Sequence, residues 1–173
     1  MPEPEFRPER ILQVLEEHGV RSILIGGFAA VIHGSPYVTT DIDVVPEGSL
    51  DNVERLSTAL RAMNARIWTA SEPEGIPFDH DAVSIAGVRV WNLVTDLGRL
   101  DLTFEPSGTT GYEDLAHGAV RLEIMGTRVD VASLADIVRS KEAAGREKDR
   151  LVLPVLRRLL RALKDEGAQD PEL

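Results

Sequence analysis

Residues 26–45 read GGFAAVIHGSPYVTTDIDVV and follow the apolar run Ser22-Ile23-Leu24-Ile25. That run reads as a short buried strand. Gly26-Gly27 then opens a short apolar helix, Phe28 to His33, which Gly34 closes before a Ser35-Pro36 turn. A second strand is predicted from Thr39 to Val45, ended by Pro46. Side chains alternate along a strand, so Asp41 and Asp43 share one face and Ile42 and Val44 the other. Two carboxylates about 7 Å apart on one face repel each other unless a cation lies between them or water bathes them. Hard oxygen ligands suit Mg2+; a solvated strand face carrying two acids is the alternative. The glycines let the backbone come close to a ligand, and free N–H groups at a helix start suit phosphate. Gly27 lies 14 residues before Asp41, so the intervening helix can bring the two strands side by side.

Outward from this stretch the pattern is mixed. Residues 8–18 read as an amphipathic helix, with Pro8 in its first turn, Ile11, Leu12 and Leu15 on one face and Gly19 at its stop. Residues 50–63 read as another, capped by Ser49 and turning Val53, Leu56, Leu60 and Met63 inward. Arg66 to Thr69 is a strand, and the turn-rich run 71–82 is a loop. Val88 to Thr95 and Arg99 to Phe104 flank Asp96-Leu97-Gly98 and pair as a hairpin. In the second of these, Asp101 and Thr103 oppose Leu100, Leu102 and Phe104. If this strand neighbours the one carrying Asp41 and Asp43, three carboxylates converge. Such a triad can hold two Mg2+ about 4 Å apart, as used for in-line phosphoryl or nucleotidyl transfer.

Residues 107–118 are a Gly-rich connection with one helical turn, and Val120 to Ile124 and Arg128 to Val131 flank a Met-Gly turn. Ser133-Leu-Ala-Asp136 caps a helix that Gly145 interrupts, and a last helix covers 147–164, with Pro154 kinking or restarting it. The order of elements is that of an α+β fold with one mixed sheet flanked by helices and a C-terminal helical segment.

The chain has 173 residues, enough for one domain, with hydrophobic residues at 43% and charged residues at 28%, and it has no Cys. Disulfides, thiolate metal sites and Cys nucleophiles are thereby excluded. No membrane segment or secretory leader is legible, so the expectation is a soluble, cytoplasmic protein. The formal net charge is −10, which argues against broad nucleic-acid coating. Yet the charge is partitioned. Residues 1–138 hold 10 basic and 22 acidic side chains, residues 139–164 hold 9 and 3, and the last nine residues hold only 4 acids. The basic segment suggests a phosphate-facing edge, or else a solvated helix face. His18, His33, His80 and His117 have no ligand spacing, and Trp68 and Trp91 read as core.

Three segments in order carry a resemblance. GGFAAVIHGSPYVTTDIDVV resembles the signature of DNA polymerase β-like nucleotidyltransferases, in particular the minimal toxins of the abortive-infection and mycobacterial types. In these a Gly-Gly or Gly-Ser pair precedes a short helix and a T-x-D-h-D strand, matched by Thr39, Asp41 and Asp43. TDLGRLDL (95–102) looks like the strand bearing the third acid, Asp101. RSKEAAGREKDRLVLP (139–154) resembles the R-x-K-D motif of these toxins, matched by Arg146, Lys148 and Asp149 and preceded by Lys141. Two positions depart from the pattern: Gly27 stands where many relatives have Ser, and Tyr37 where they often have Arg. Tyr37 then stacks on a base or packs.

The resemblance implies a polymerase β-like fold with residues 1–132 as catalytic core, 133–164 as a C-terminal helical segment packed on it, and 165–173 as a disordered tail. It implies an enzyme that transfers NMP from an NTP to an acceptor with release of pyrophosphate. It further implies a toxin of a toxin–antitoxin pair acting on the tRNA 3′ end, with an NTP, tRNA and a cognate antitoxin as partners. A small-molecule, aminoglycoside-like nucleotidyltransferase and a noncatalytic binding module remain alternatives. On the same basis, Asp41, Asp43, Asp101, Lys141 and Asp149 would be catalytic, with Mg2+ on the first three. Gly26, Gly27, Thr39, Arg146 and Lys148 would bind the nucleotide phosphates, and Asp149 would orient Arg or Lys rather than bind metal.

Overall fold

The computed structural model describes residues 3–168. Among them, α1 spans Pro8–Glu17, β1 Ser22–Ile25, α2 Gly26–Ile32, β2 Asp41–Pro46, α3 Leu50–Ala62 and β3 Arg66–Ile67. Then follow α4 (Ala82–Ala86), β4 (Val90–Thr95), β5 (Gly98–Thr103), α5 (Tyr112–Ala116), β6 (Val120–Ile124), β7 (Thr127–Val131), α6 (Leu134–Ala144) and α7 (Glu147–Ala168). The seven strands form one mixed sheet in the order β3-β4-β5-β2-β1-β7-β6. The expected α+β architecture is therefore present.

Two pairings at the centre position the site. β1 lies antiparallel to β2, with Ile25 opposite Asp43. β5 lies parallel to β2, with Asp43 opposite Asp101 and Asp41 opposite Arg99. Alternation does the sorting: Ile42, Val44, Leu100 and Leu102 are all but fully buried, while Asp41, Asp43 and Asp101 keep some exposure on the other face. Each such aliphatic side chain contributes about 2 kcal/mol by leaving water, so a slip of one residue, which would bury the acids instead, is strongly disfavoured. Helix α1 packs on β2, β5 and β7 and against α3, and α2 packs on β1 and β2 and meets α6.

Several local expectations shift. The helix after β1 begins at Gly26 rather than Phe28, with Ile25 as its extended N-cap, and β2 begins at Asp41 rather than Thr39. The expected loop 71–82 holds as far as Asp81, and α4 begins at Ala82 where no helix was expected. Its signal is a capping box, Asp81-x-x-Ser84, in which Ser stands in the position usual for Glu or Gln. The β4–β5 hairpin forms as expected, and Met125 (φ 49°) and Gly126 (φ 82°) make the left-handed turn that joins β6 to β7. Ser133 caps α6 by accepting from the Asp136 N–H, and Gly145 ends it in the left-handed conformation. Helix α7 neither stops nor restarts at Pro154, and it runs to Ala168, four residues beyond its expected end. Residues 165–168 of the expected disordered tail are thus helical, and 169–173 lie outside the described residues. No helix among the described residues is long and apolar enough to cross a membrane.

Candidate active site

Asp41 and Asp43 are two residues apart on β2, and Asp101 is the direct neighbour of Asp43 on β5. One carboxylate oxygen from each lies within 4.8 Å of the others. Burial raises the Asp43 carboxyl, and Asp41 and Asp101 beside it add to the effect, so its pKa is pushed up to about 7 although Lys148 and Lys141 oppose. Burial also raises Asp101, against the pull of Arg99. Packing alone would not bring three acids together at this cost. A divalent cation would relieve the repulsion, and three carboxylates form the donor set that Mg2+ takes. These residues therefore fit the metal expected from the sequence.

The Gly-Gly pair is explained by its neighbours. Gly26 has φ +71°, and a Cβ there would lie 2.2 Å from Asp43 Oδ2. Only glycine admits both the conformation and the approach. A Cβ at Gly27 would lie 3.0 Å from Thr39 Oγ1. A Ser side chain at position 27 would therefore press on Thr39, whose hydroxyl donates to Asp41 Oδ1 at 2.7 Å. In this chain Thr39 orients a triad carboxylate.

The triad lies on the wall of a cleft of about 730 Å³. Lys141 from α6, Arg146 from the link before α7 and Lys148 from the first turn of α7 line the same cleft. Gly145 does separate the two helices, so a continuous helix does not align the cations. Asp149 does so instead. It is fully buried, and it accepts from Lys141 Nζ at 3.3 Å and from Arg146 Nε at 2.8 Å. Burial alone would raise Asp149, but the Arg146 hydrogen bond and the Lys141 charge outweigh it and hold the carboxyl below its usual range. Asp149 does not line the cleft and lies outside the acidic triad, which fits the orienting role. Lys148 is exposed on the cleft, close enough to Asp43 to lower its proton affinity.

Tyr37, 44% exposed, also lines the cleft, so it is not a core residue. Two polar neighbours of the triad lie outside the residues expected from the sequence. Asn92 on β4 is the register partner of Asp101 and lines the cleft. Counting back from the tight turn at Asp96-Leu97 pairs 92 with 101, so the hairpin's own sequence carries the signal for Asn92. Arg99 places its guanidinium 3.7 Å above the Trp68 ring, with Nη2 3.5 Å from Asp101 Oδ1. Trp68, expected in the core, is instead half-buried beneath that cation. Trp91 packs on Phe78 and donates to the Ile85 carbonyl. His33 caps α2 and reaches the Ala132 carbonyl at 2.8 Å, a structural role.

No protein-family model matches the chain, and no curated protein does. Solved structures do. A lincosamide antibiotic adenylyltransferase, solved with lincomycin bound, superposes with a TM-score of 0.58 at 12% identity, covering 90% of this chain and 99% of its own. ANT(2″)-Ia in complex with adenylyl-2″-tobramycin gives 0.56 at 16% identity, covering 92% and 90%. A nucleotidyltransferase candidate from Thermotoga maritima gives 0.53 at 15% identity, covering 92% and 97%. Sequence identities this low speak to architecture alone, and the architecture of this chain is the nucleotidyltransferase fold.

Proposed function

We propose that this chain is a Mg2+-dependent nucleotidyltransferase that transfers NMP from an NTP to an acceptor hydroxyl. The observation that carries the reading is the convergence of Asp41, Asp43 and Asp101 within 4.8 Å, on a cleft that Lys141 and Lys148 also line. In this reading residues 1–132 form the catalytic core and 133–164 supply the cations. Mg2+, held by Asp41, Asp43 and Asp101, would neutralise charge on the triphosphate and polarise the α-phosphorus. Gly26 and Gly27 let the triphosphate approach the backbone, and Thr39 fixes the Asp41 carboxylate. Lys141, Arg146 and Lys148 balance phosphate charge, and Asp149 holds the first two in place. Asp101, beside Asp43 on the cleft wall, accepts the proton of the acceptor hydroxyl. The acceptor oxygen bonds to the α-phosphorus as the bond to the bridging oxygen breaks, and pyrophosphate leaves.

We assign the acceptor to the tRNA 3′ end and the biological role to the toxin of a toxin–antitoxin pair. Support comes from the Arg146-x-Lys148-Asp149 motif and the Lys141 that precedes it. A second reading, transfer to a small antibiotic-like molecule, is favoured by the two antibiotic adenylyltransferases that share the fold. The test is incubation with each labelled NTP, Mg2+ and either total tRNA or an aminoglycoside and lincosamide panel. Label on tRNA that disappears with Asp41→Ala supports the first reading. Label on a small molecule supports the second. No transfer to any acceptor, together with no Mg2+-dependent NTP binding by calorimetry, would leave a noncatalytic binding module.

A further inference from the structure

Helix α7 carries cations that the nucleotide site does not use. Arg150, Arg157, Arg161 and Lys164 follow one another at steps of seven, four and three residues. At 100° per residue these positions fall within about 40° of a single line, and Arg158 flanks it. All five are exposed. Arg157 pairs with Glu142 of α6 at 2.8 Å. Arg150, Arg158, Arg161 and Lys164 form no ion pair among the described residues. The line spans about 21 Å at 1.5 Å per residue. Arg146, four residues before Arg150, extends it into the cleft that Arg146 helps to line.

This concentration stands out on a protein whose residues 1–138 carry 22 acids against 10 bases. A solvated helix face in such a setting would ordinarily interleave its cations with acids for pairing. On this side Glu147, Pro154 and, at the far end, Asp165 lie beside the line, the two acids pair with none of these cations among the described residues, and the exposed Leu151 and Leu163 lie off it. Protein interfaces are anchored by a desolvated apolar or aromatic centre, and the line has none. Arginine forks instead match phosphate oxygens, which repeat along a nucleic-acid strand.

We propose that this face of α7 binds the phosphate backbone of an RNA whose end enters the cleft at Arg146. The proposal deepens the assignment of a polynucleotide acceptor and rests on it. The cations lie outside the triad and its phosphate contacts, so docking and catalysis are separable by mutation.

The test uses the full chain, a fluorescein-labelled deacylated tRNA pool, and anisotropy between about 50 and 300 mM KCl. The triple variants Arg150→Glu/Arg158→Glu/Arg161→Glu and Arg150→Ala/Arg158→Ala/Arg161→Ala are compared with the wild type. The alanine set guards against misfolding of the reversed one, and circular dichroism checks both. At low salt the wild type binds, and each variant loses at least about tenfold in affinity. The slope of log K against log[salt] becomes shallower by about 2–3 in the alanine variant, as expected for three lost phosphate contacts. NTP·Mg2+ binding, followed by calorimetry, stays at the wild-type level. Unchanged affinity and slope, or no tRNA binding by the wild type, overturns the proposal. So does competition by a poly-glutamate peptide as effective as that of RNA, which would point to an acidic protein partner instead. Loss of NTP·Mg2+ binding in the wild type itself would refute the nucleotidyltransferase reading, not the docking face.

Discussion

Replacing Asp43 with Asn should stabilise this protein when no divalent cation is present. Burial, with Asp41 and Asp101 alongside, pushes Asp43 to about 7 from 3.8. Between those values the folded chain keeps a proton that the unfolded chain has lost. Stability therefore falls as pH rises through this window and levels off above it. Three units correspond to about 4 kcal/mol. Because the side chain keeps an opening to the cleft, water screens part of this, leaving about 2 kcal/mol. Asparagine has the same shape and no charge, and among the described residues Asp43 accepts no hydrogen bond that the change would remove. In EDTA at pH 8.5 the variant should melt about 4–8 °C above the wild type, and at pH 5 the gain should shrink to about a third. Saturating Mg2+ should reverse the order, since ligand at about a hundred times Kd adds about 2.7 kcal/mol to a chain that binds it. Thermal melts at both pH values, in EDTA and in MgCl2, measure all four conditions. A variant less stable than wild type in EDTA at pH 8.5, or one that keeps the wild-type gain from Mg2+, would refute the argument.

Gly26→Ala should abolish the Mg2+-dependent rise in melting temperature and destabilise by about 2 kcal/mol, since its Cβ would fall 2.2 Å from Asp43 Oδ2 at a positive φ. Gly27→Ser should lower activity by displacing Thr39 from Asp41, and adding Thr39→Ala should recover the lost stability without the activity, as a double-mutant cycle would show. Asp149→Ala should cost about 3 kcal/mol in urea unfolding, chiefly because it leaves the largely buried Lys141 ammonium without its partner, whereas the exposed Arg146 regains water. Asp149 is held below its usual range, so its contribution is complete above about pH 4 and is lost as pH falls further; the acid limb of unfolding, to which Glu47, Asp81 and Asp114 also contribute, should be shallower in the variant. Lys148→Met should raise KM for the NTP about tenfold with little change in melting temperature, and should move the pH midpoint of the Mg2+ effect upward as Asp43 loses a neighbouring cation.

The structure bears out much of the sequence reading at the strands and less at the short helices. Alternation placed Asp41 and Asp43 on one face and Ile42 and Val44 on the other, because a strand has no other way to separate them. The β4–β5 hairpin followed from its tight turn. Helix α4 was hidden because its signal is a five-residue helix with Ser in a capping position usually held by Glu or Gln. Gly26-Gly27 disguised the first turn of α2, since two glycines disfavour a helix until the strand packing beside them supplies the reason. Trp68 looked like core because strand periodicity cannot show that a guanidinium will cover the ring.

What the sequence determined by itself is local. The spacing D-x-D, the apolar residues between and around the acids, the turn residues and the caps are each satisfied within a few neighbours, and each has one physical solution. What the tertiary structure decided is adjacency. Nothing local states that β5 lies parallel to β2 in a register setting Asp101 against Asp43, or that Asp43 occupies the space a Gly26 side chain would need. The motif pointed to Asp149 as orienting a cation, but nothing in it states that Asp149 is fully buried or that it holds Lys141 and Arg146 together across the break at Gly145. These contacts join residues far apart in the chain, and their energies belong to the packed sheet rather than to any segment of it.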